Sequence, residues 1–435
     1  MRRTLVLAYY FPPLGGAGVQ RTVKLLKYLP AHGYAATVVT APEHTGVDWA
    51  PPDPAQSDEL PVDTEVIRTR PPAGGAVAPA DRSRADKLLD RPGAFARWWV
   101  EAAAEAGIPP ARSSDVLYAT MSPFESAEAA RRIAAATGIP WVADLRDPWA
   151  LDEWTVYPSA LHRIRDERRM ARLLSTATTV VMNTEEARRE VARRFPALAS
   201  RLEVVTNGFD ADDLALPPEP RTDDRVRIVY AGYSHVEEGL RHRRARRLRE
   251  LRGAAAPGLD ILARSHVFLL EAVRRLAAEA QDVGGRLELH LAGASPTGAT
   301  DPFVVERGYL PHRDAVALMR SADVLFLPMH DVAAGSRVRT VPGKTYEYLA
   351  SGRPILAALP DGDARDLLAG LPGVRLCAPT DVEGIAAALR ELAAGAPAPT
   401  RVPEIAARFE RRVLAGRLAE ILDCAAAGRS AAAAA

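Results

Sequence analysis

The chain has 435 residues, 48% of them hydrophobic, and two widely separated cysteines, Cys377 and Cys424. This length suits two α/β domains with sizeable cores; the cysteines exclude a disulfide framework or a thiolate metal site, and no apolar run reaches the roughly 18 residues of a membrane span. A net charge of +1 gives no global attraction to nucleic acid or membrane.

MRRTLVLAYYFPP lacks a long apolar stretch and a small-residue cleavage site, so it reads as a first strand and not a signal peptide; the cytoplasm is the expected location. TLVLAYY (4–10) is that strand, and Val19, Val23, Leu26 and Leu29 then recur near helical spacing up to Gly33. ATVVTA (36–41) is the second strand, and the Pro/Gly/Ala-rich stretch 50–95 reads as loop. DVLYATM (115–121), an alanine-rich helix, PWVADLRD (140–147), TTVVMNT (178–184) and RLEVVTNGFD (201–210) continue the alternation. The polar, proline-rich LALPPEPRTDD (214–224) reads as a linker.

A second series begins at VRIVYAGYS (226–234). It continues through the helix SHVFLLEAVRRLAAEA (265–280), the strand RLELHLAGA (286–294) and a helix around AVALMRSA, then the strand DVLFLPM (323–329), the helix KTYEYLAS (344–351) and the strand RPILAAL (353–359). Strands alternating with helices predict two similar doubly wound domains, 1–214 and 225–400. The low-complexity end, 426–435, predicts disorder.

Two stretches suggest chemistry. In YYFPPLGGAGVQR (9–21) a glycine-rich turn leads from strand to helix, where backbone N–H groups and the helix dipole can meet an anion. It serves equally as a tight turn that needs small residues. A dinucleotide site is excluded, because the glycine spacing is wrong and the second strand ends in Thr40-Ala41-Pro42 with no acid. In VPGKTYEYLASGRPILAAL (341–359), Lys344 stands in the first turn of a helix, against the dipole. It is one of only four lysines, with Lys24, Lys27 and Lys87, and the only one in the second half. The alternatives are an anionic ligand, such as a diphosphate, or a solvated side chain. Glu347, one turn on, is either an acceptor for two ribose hydroxyls or an exposed helix carboxylate.

Together with PWVADLRDPW (140–149), VVTNGFD (204–210), IVYAGY (228–233) and GYLPHRDAVALMRSADVLFLP (308–328), these stretches resemble the retaining GT4 glycosyltransferases, also called group 1, over nearly the whole chain. The resemblance implies a GT-B fold, with two Rossmann-like α/β domains facing each other across a cleft and a C-terminal helix (401–425) crossing back to the first. It implies a nucleoside diphosphate sugar as donor, bound mainly by the second domain, and a small-molecule acceptor bound mainly by the first. No metal, cofactor or nucleic acid is expected. Residue by residue, it implies donor contacts at Gly15, Gly16, Gly232, Tyr309, Leu310, Gly343, Thr345 and Glu347, and a catalytic cation pair of Arg264 and Lys344. Asp144, Arg146 and Asp147 either hold acceptor hydroxyls or brace their loop.

Three departures from the family pattern stand out. The first Glu of an E-x7-E motif falls at position 339, which is arginine; the backbone near Gly335 and Ser336 is one substitute for it. Where relatives carry histidines after a Ser-Pro turn, this chain has Glu125 and Glu128, making Glu125 a candidate catalytic carboxylate or a plain surface acid. GLRHRRARRLRELR (239–252) inserts seven arginines: a solvated segment, a site for an acidic acceptor or anionic membrane, or a lid. The expected reaction is hexose transfer in a secondary-metabolite or cell-envelope pathway. The alternatives are a GT-B sugar-nucleotide epimerase and a catalytically silent partner protein.

Overall fold

In a computed structural model the described residues are 1–43, 51–71, 86, 92–279, 285–293, 301–394 and 403–434. The chain divides into two compact units, Met1–Asn207 with Arg411–Ala435, and Gly208–Glu410.

The first unit is built on seven parallel strands: β1 (Arg2–Leu7), β2 (Tyr34–Thr40), β3 (Glu65–Arg68), β4 (Val116–Met121), β5 (Trp141–Leu145), β6 (Thr179–Met182) and β7 (Leu202–Val204). Their order is β3-β2-β1-β4-β5-β6-β7. β4 and β5 are buried at every residue, as expected of parallel strands covered by helices on both faces. The order reverses between β1 and β4, and ligands of such sheets bind outside the carboxyl ends of strands at that reversal. Those ends carry YYFPPLGG and MSPFE. The aromatic part of the first is core: Tyr9, Tyr10 and Phe11 are buried, and Tyr9 packs edge-on against Phe95 and Trp99. The C-terminal helix Arg411–Ala434 lies against the Ala17–Tyr28 helix and sends Leu414, Leu418, Ile421 and Leu422 into this core.

The second unit has six parallel strands: β8 (Val226–Ala231), β9 (Leu287–Ala292), β10 (Val304–Gly308), β11 (Val324–Pro328), β12 (Ile355–Ala358) and β13 (Val374–Cys377). Their order is β10-β9-β8-β11-β12-β13, with the reversal between β8 and β11.

Three sequence expectations change. The stretch 50–95 contains a 3-10 turn (Pro54–Glu59), strand β3 and the start of the Ala94–Ala111 helix; residues 50, 72–85 and 87–91 of it lie outside the described residues. The linker 214–224 is fastened to the second unit, because Glu219 pairs with Arg227 and Arg307, and Arg221 with Asp323. The division falls earlier, at Asn207/Gly208. Residues 426–434 continue the last helix, since the alanine that makes the tail low in complexity is also the strongest helix former. The arginine-rich insertion 239–252, for which the sequence predicts no element, lies on a helix, Val236–Leu251, except for its last residue. Residues 395–400 at the end of the second predicted domain, 401–402 and Ala435 lie outside the described residues. No helix among the described residues is long and apolar enough to cross a membrane.

Candidate active site

In the second unit, the end of β8 and the helix Lys344–Ser351 converge. Lys344 Nζ donates to the Ala231 carbonyl at 2.9 Å and lies 4.2 Å from the Tyr230 ring centroid. Gly232 makes this approach possible, because a Cβ there would stand 2.6 Å from Lys344 Nζ. Burial, then the charge of Arg264, push the Lys344 ammonium down to about 7, against the opposing pull of Glu347. Arg264 closes a short 3-10 turn (Ile261–Arg264) ahead of the Val267–Glu279 helix. The structure thus brings together two cations that stand 80 residues apart in the chain. His235 and Glu238, 3.1 Å apart, also lie in the field of Arg264. Sequence reasoning missed them, although His235 follows shortly after the Gly232 turn.

Glu347 is half-buried on the Lys344–Ser351 helix, and its Oε1 is 2.8 Å from His312 Nε2. The other ring nitrogen of His312 lies 3.6 Å from Asp213 Oδ2. A helix carboxylate held in this way is no loose surface acid. Tyr309 and Leu310, both half-buried, follow Gly308, whose φ of +64° turns the chain out of β10. Gly343 caps the Lys344–Ser351 helix. Thr345 is fully buried, and its hydroxyl has no hydrogen-bond partner among the described residues. Arg339, Gly335 and Ser336 lie between β11 and that helix, with Gly335 and Ser336 exposed.

In the first unit the two glycines differ. The Gly15 N–H donates to the Pro51 carbonyl at 2.9 Å and is therefore not available to an anion. Gly16, at φ +94°, caps the Ala17–Tyr28 helix. Gly18, which sequence reasoning passed over, is the tightest position: a Cβ there would fall 1.5 Å from Arg146 Nη1. Arg146 lies against this turn and donates to the carbonyls of Met121 (2.8 Å) and Ser122 (3.3 Å).

Asp144 does not line a binding surface. It is 0% exposed and takes a two-pronged ion pair from Arg21, at 3.1 and 2.7 Å. Burial alone would raise its pKa, but Arg21 holds it below the usual carboxylate range. Of the three Asp-Arg-Asp residues, Asp147 is the half-exposed carboxylate with no hydrogen bond or ion pair among the described residues. Glu125 stands just before the Ser126–Thr137 helix, 3.7 Å from Arg169. It borders a cavity of about 770 Å³ lined also by Phe95, Arg131, Arg165 and Asp166. Glu128 is turned to Arg131 and Arg132.

Residues 15–208 match the glycosyl transferase 4-like domain, and residues 261–394 match the glycosyl transferases group 1 domain. The chain belongs to the group 1 glycosyltransferases. Solved structures agree on the fold of this glycosyltransferase. Sucrose-phosphate synthase of Thermosynechococcus elongatus superposes with a TM-score of 0.65 at 13% identity, over 100% of both chains. HepE of Anabaena, solved with UDP and glucose, gives 0.58 at 16% identity, over 97% of this chain and 100% of its own. A glycosyltransferase of Rickettsia africae gives 0.60 at 12% identity, over 98% of each chain. The expected GT-B fold is thereby established. No curated protein matches the chain in sequence.

Proposed function

We propose that this glycosyltransferase moves a hexose-like sugar, with retention, from a nucleoside diphosphate to a small polar acceptor. The observation that carries the reading is Lys344, half-buried in the field of Arg264 with its ammonium pushed down to about 7. Two cations forced together in this way favour a multiply charged anion, and a diphosphate supplies it. Uridine is the favoured base, because HepE, which shares the fold, was solved with UDP and with UDP-glucose.

In this reading the acceptor hydroxyl attacks the face from which the diphosphate departs. The C1–O bond to phosphate breaks as the new bond forms, and the leaving phosphate oxygen takes the acceptor proton. Arg264, Lys344 and the amino end of the Lys344–Ser351 helix stabilise the negative charge that develops on the diphosphate, without a metal ion. Glu347 accepts from the ribose hydroxyls, and the turn at Tyr309 and Leu310 receives the base. Asp147 and Glu125 bind the acceptor, with Arg146 fixing the loop between them.

The test is incubation with a panel of nucleoside diphosphate sugars, with and without candidate acceptors. Transfer, or slow hydrolysis without acceptor, supports the reading. Interconversion of sugar nucleotides would replace it with an epimerase, and binding without turnover with a silent partner.

A further inference from the structure

The arginine-rich helix Val236–Leu251 has two unlike sides. One is fastened to the second unit. Gly239 lies so close to Leu262 that a Cβ there would be 2.5 Å from the Leu262 Cα. His242 Nε2 is 3.1 Å from the Leu259 carbonyl, and Arg243 grips Asp260 with two hydrogen bonds. Arg246 pairs with Glu250, and Arg249 reaches His242 Nδ1. These contacts hold the helix in one orientation.

The other side carries Leu240, Leu248 and Leu251, which are 43%, 51% and 86% exposed. Arg244 and Arg247 share this face at helical spacing, and Arg241 and Arg252 border it. All four guanidiniums are exposed and none makes a hydrogen bond or ion pair among the described residues, though Arg241 lies in the field of Glu238. Glu237 is the acid that shares the face. Leucines left in water and unpaired like charges side by side are each unfavourable. A surface that is both anionic and apolar beneath relieves both.

We infer that this face docks on an anionic lipid surface, with the leucines entering the headgroup boundary and the arginines meeting lipid phosphates. Nucleic acid offers phosphates but no apolar layer for three leucines. The contact is interfacial, and it is independent of the proposed reaction.

The test is sedimentation of the full chain with vesicles of pure phosphatidylcholine and of phosphatidylcholine mixed with phosphatidylglycerol. Binding is expected to the mixed vesicles only and to weaken with salt. Arg244→Glu, Arg247→Glu and Arg252→Glu together should reduce partitioning roughly a hundredfold or more, on the scale of one favourable contact per basic residue. Leu248→Ser with Leu251→Ser should reduce it roughly tenfold or more, and an unchanged melting temperature would show that both variants fold. Failure to bind mixed vesicles, or equal binding to both kinds, would overturn the inference. So would loss with the arginine changes alone together with equally tight binding to a DNA duplex, which would make the face a polyanion site.

Discussion

Arg21 and Asp144, 123 residues apart in the chain, form a fully buried two-pronged ion pair in the first unit. The same guanidinium donates to the carbonyls of Val205 and Thr206, at 2.8 Å each. One side chain thus ties together three elements: the helix Ala17–Tyr28 that follows the glycine turn, strand β5, and the segment just after β7. Removing one partner strands the other charge out of water. Asp144→Asn or Arg21→Ala should therefore lower stability by about 3–5 kcal/mol, read from denaturant unfolding of the first unit's signal. Arg21→Met combined with Asp144→Leu should cost less than either single change. If Asp144→Asn raises the acceptor KM at unchanged stability, the pair is not a brace.

Lys344→Ala should lower turnover by roughly a hundredfold or more, the scale of one electrostatic contact made chiefly in the transition state. Arg264→Ala should behave alike. Turnover within threefold of the parent for both would remove the diphosphate from this site.

The pH dependence follows from the same lysine. Its pKa in the free protein, about 7, lies below its ordinary value, so between the two the unfolded chain holds a proton that the folded chain has lost. Desolvating the Lys344 ammonium then destabilises the protein fully below pH 7, and the penalty fades as pH rises from there towards the ordinary lysine value. An anion reverses the preference. Nucleoside diphosphate should bind tightest below the Lys344 pKa and take up a proton on binding above it. Calorimetry in two buffers of different ionisation enthalpy would detect this uptake, and Lys344→Ala should abolish it. Absence of uptake in the parent protein would contradict the assignment.

Glu347→Gln should raise the donor KM with turnover nearly unchanged, because ribose contacts persist from ground state to transition state. His312→Ala should weaken nucleotide affinity roughly tenfold, the scale of a hydrogen bond to a charged group, while His312→Gln, which keeps a donor, should retain most of it. Equal losses in the two His312 variants would mean that the ring only fills space.

Glu125→Ala should cut transfer while leaving affinity for nucleoside diphosphate intact, since the donor groups belong to the other unit. Asp147→Ala should raise the acceptor KM. Full transfer in Glu125→Ala would leave that residue as a surface partner of Arg169.

What the sequence reveals follows the physics of each element. VLYATM and VLFLP announce themselves because strands covered on both faces must be apolar throughout. EVIR, β3, does not, because a four-residue edge strand is half exposed and carries charge at both ends. Lys344 is conspicuous in a chain with four lysines, and its helix position makes an anion the natural partner. The pairings Arg21–Asp144 and His312–Glu347 are hidden, since nothing local marks which distant charge will be neighbour to which. Asp144 shows the cost: a polar loop acid and a buried brace look alike until its arginine is placed.

The return of the helix Arg411–Ala434 to the first unit has a consequence for biosynthesis. The part of this unit that emerges first from the ribosome must wait for its last helix while the whole second unit is made. That unit spans about 200 residues, so at ordinary elongation rates the wait is roughly 10–40 s. The second unit is continuous and complete before then, so it can reach its native state ahead of the domain that precedes it. During the interval the apolar surface that Leu414, Leu418 and Leu422 will cover stays uncovered on the nascent chain, which makes it the natural landing place for a chaperone.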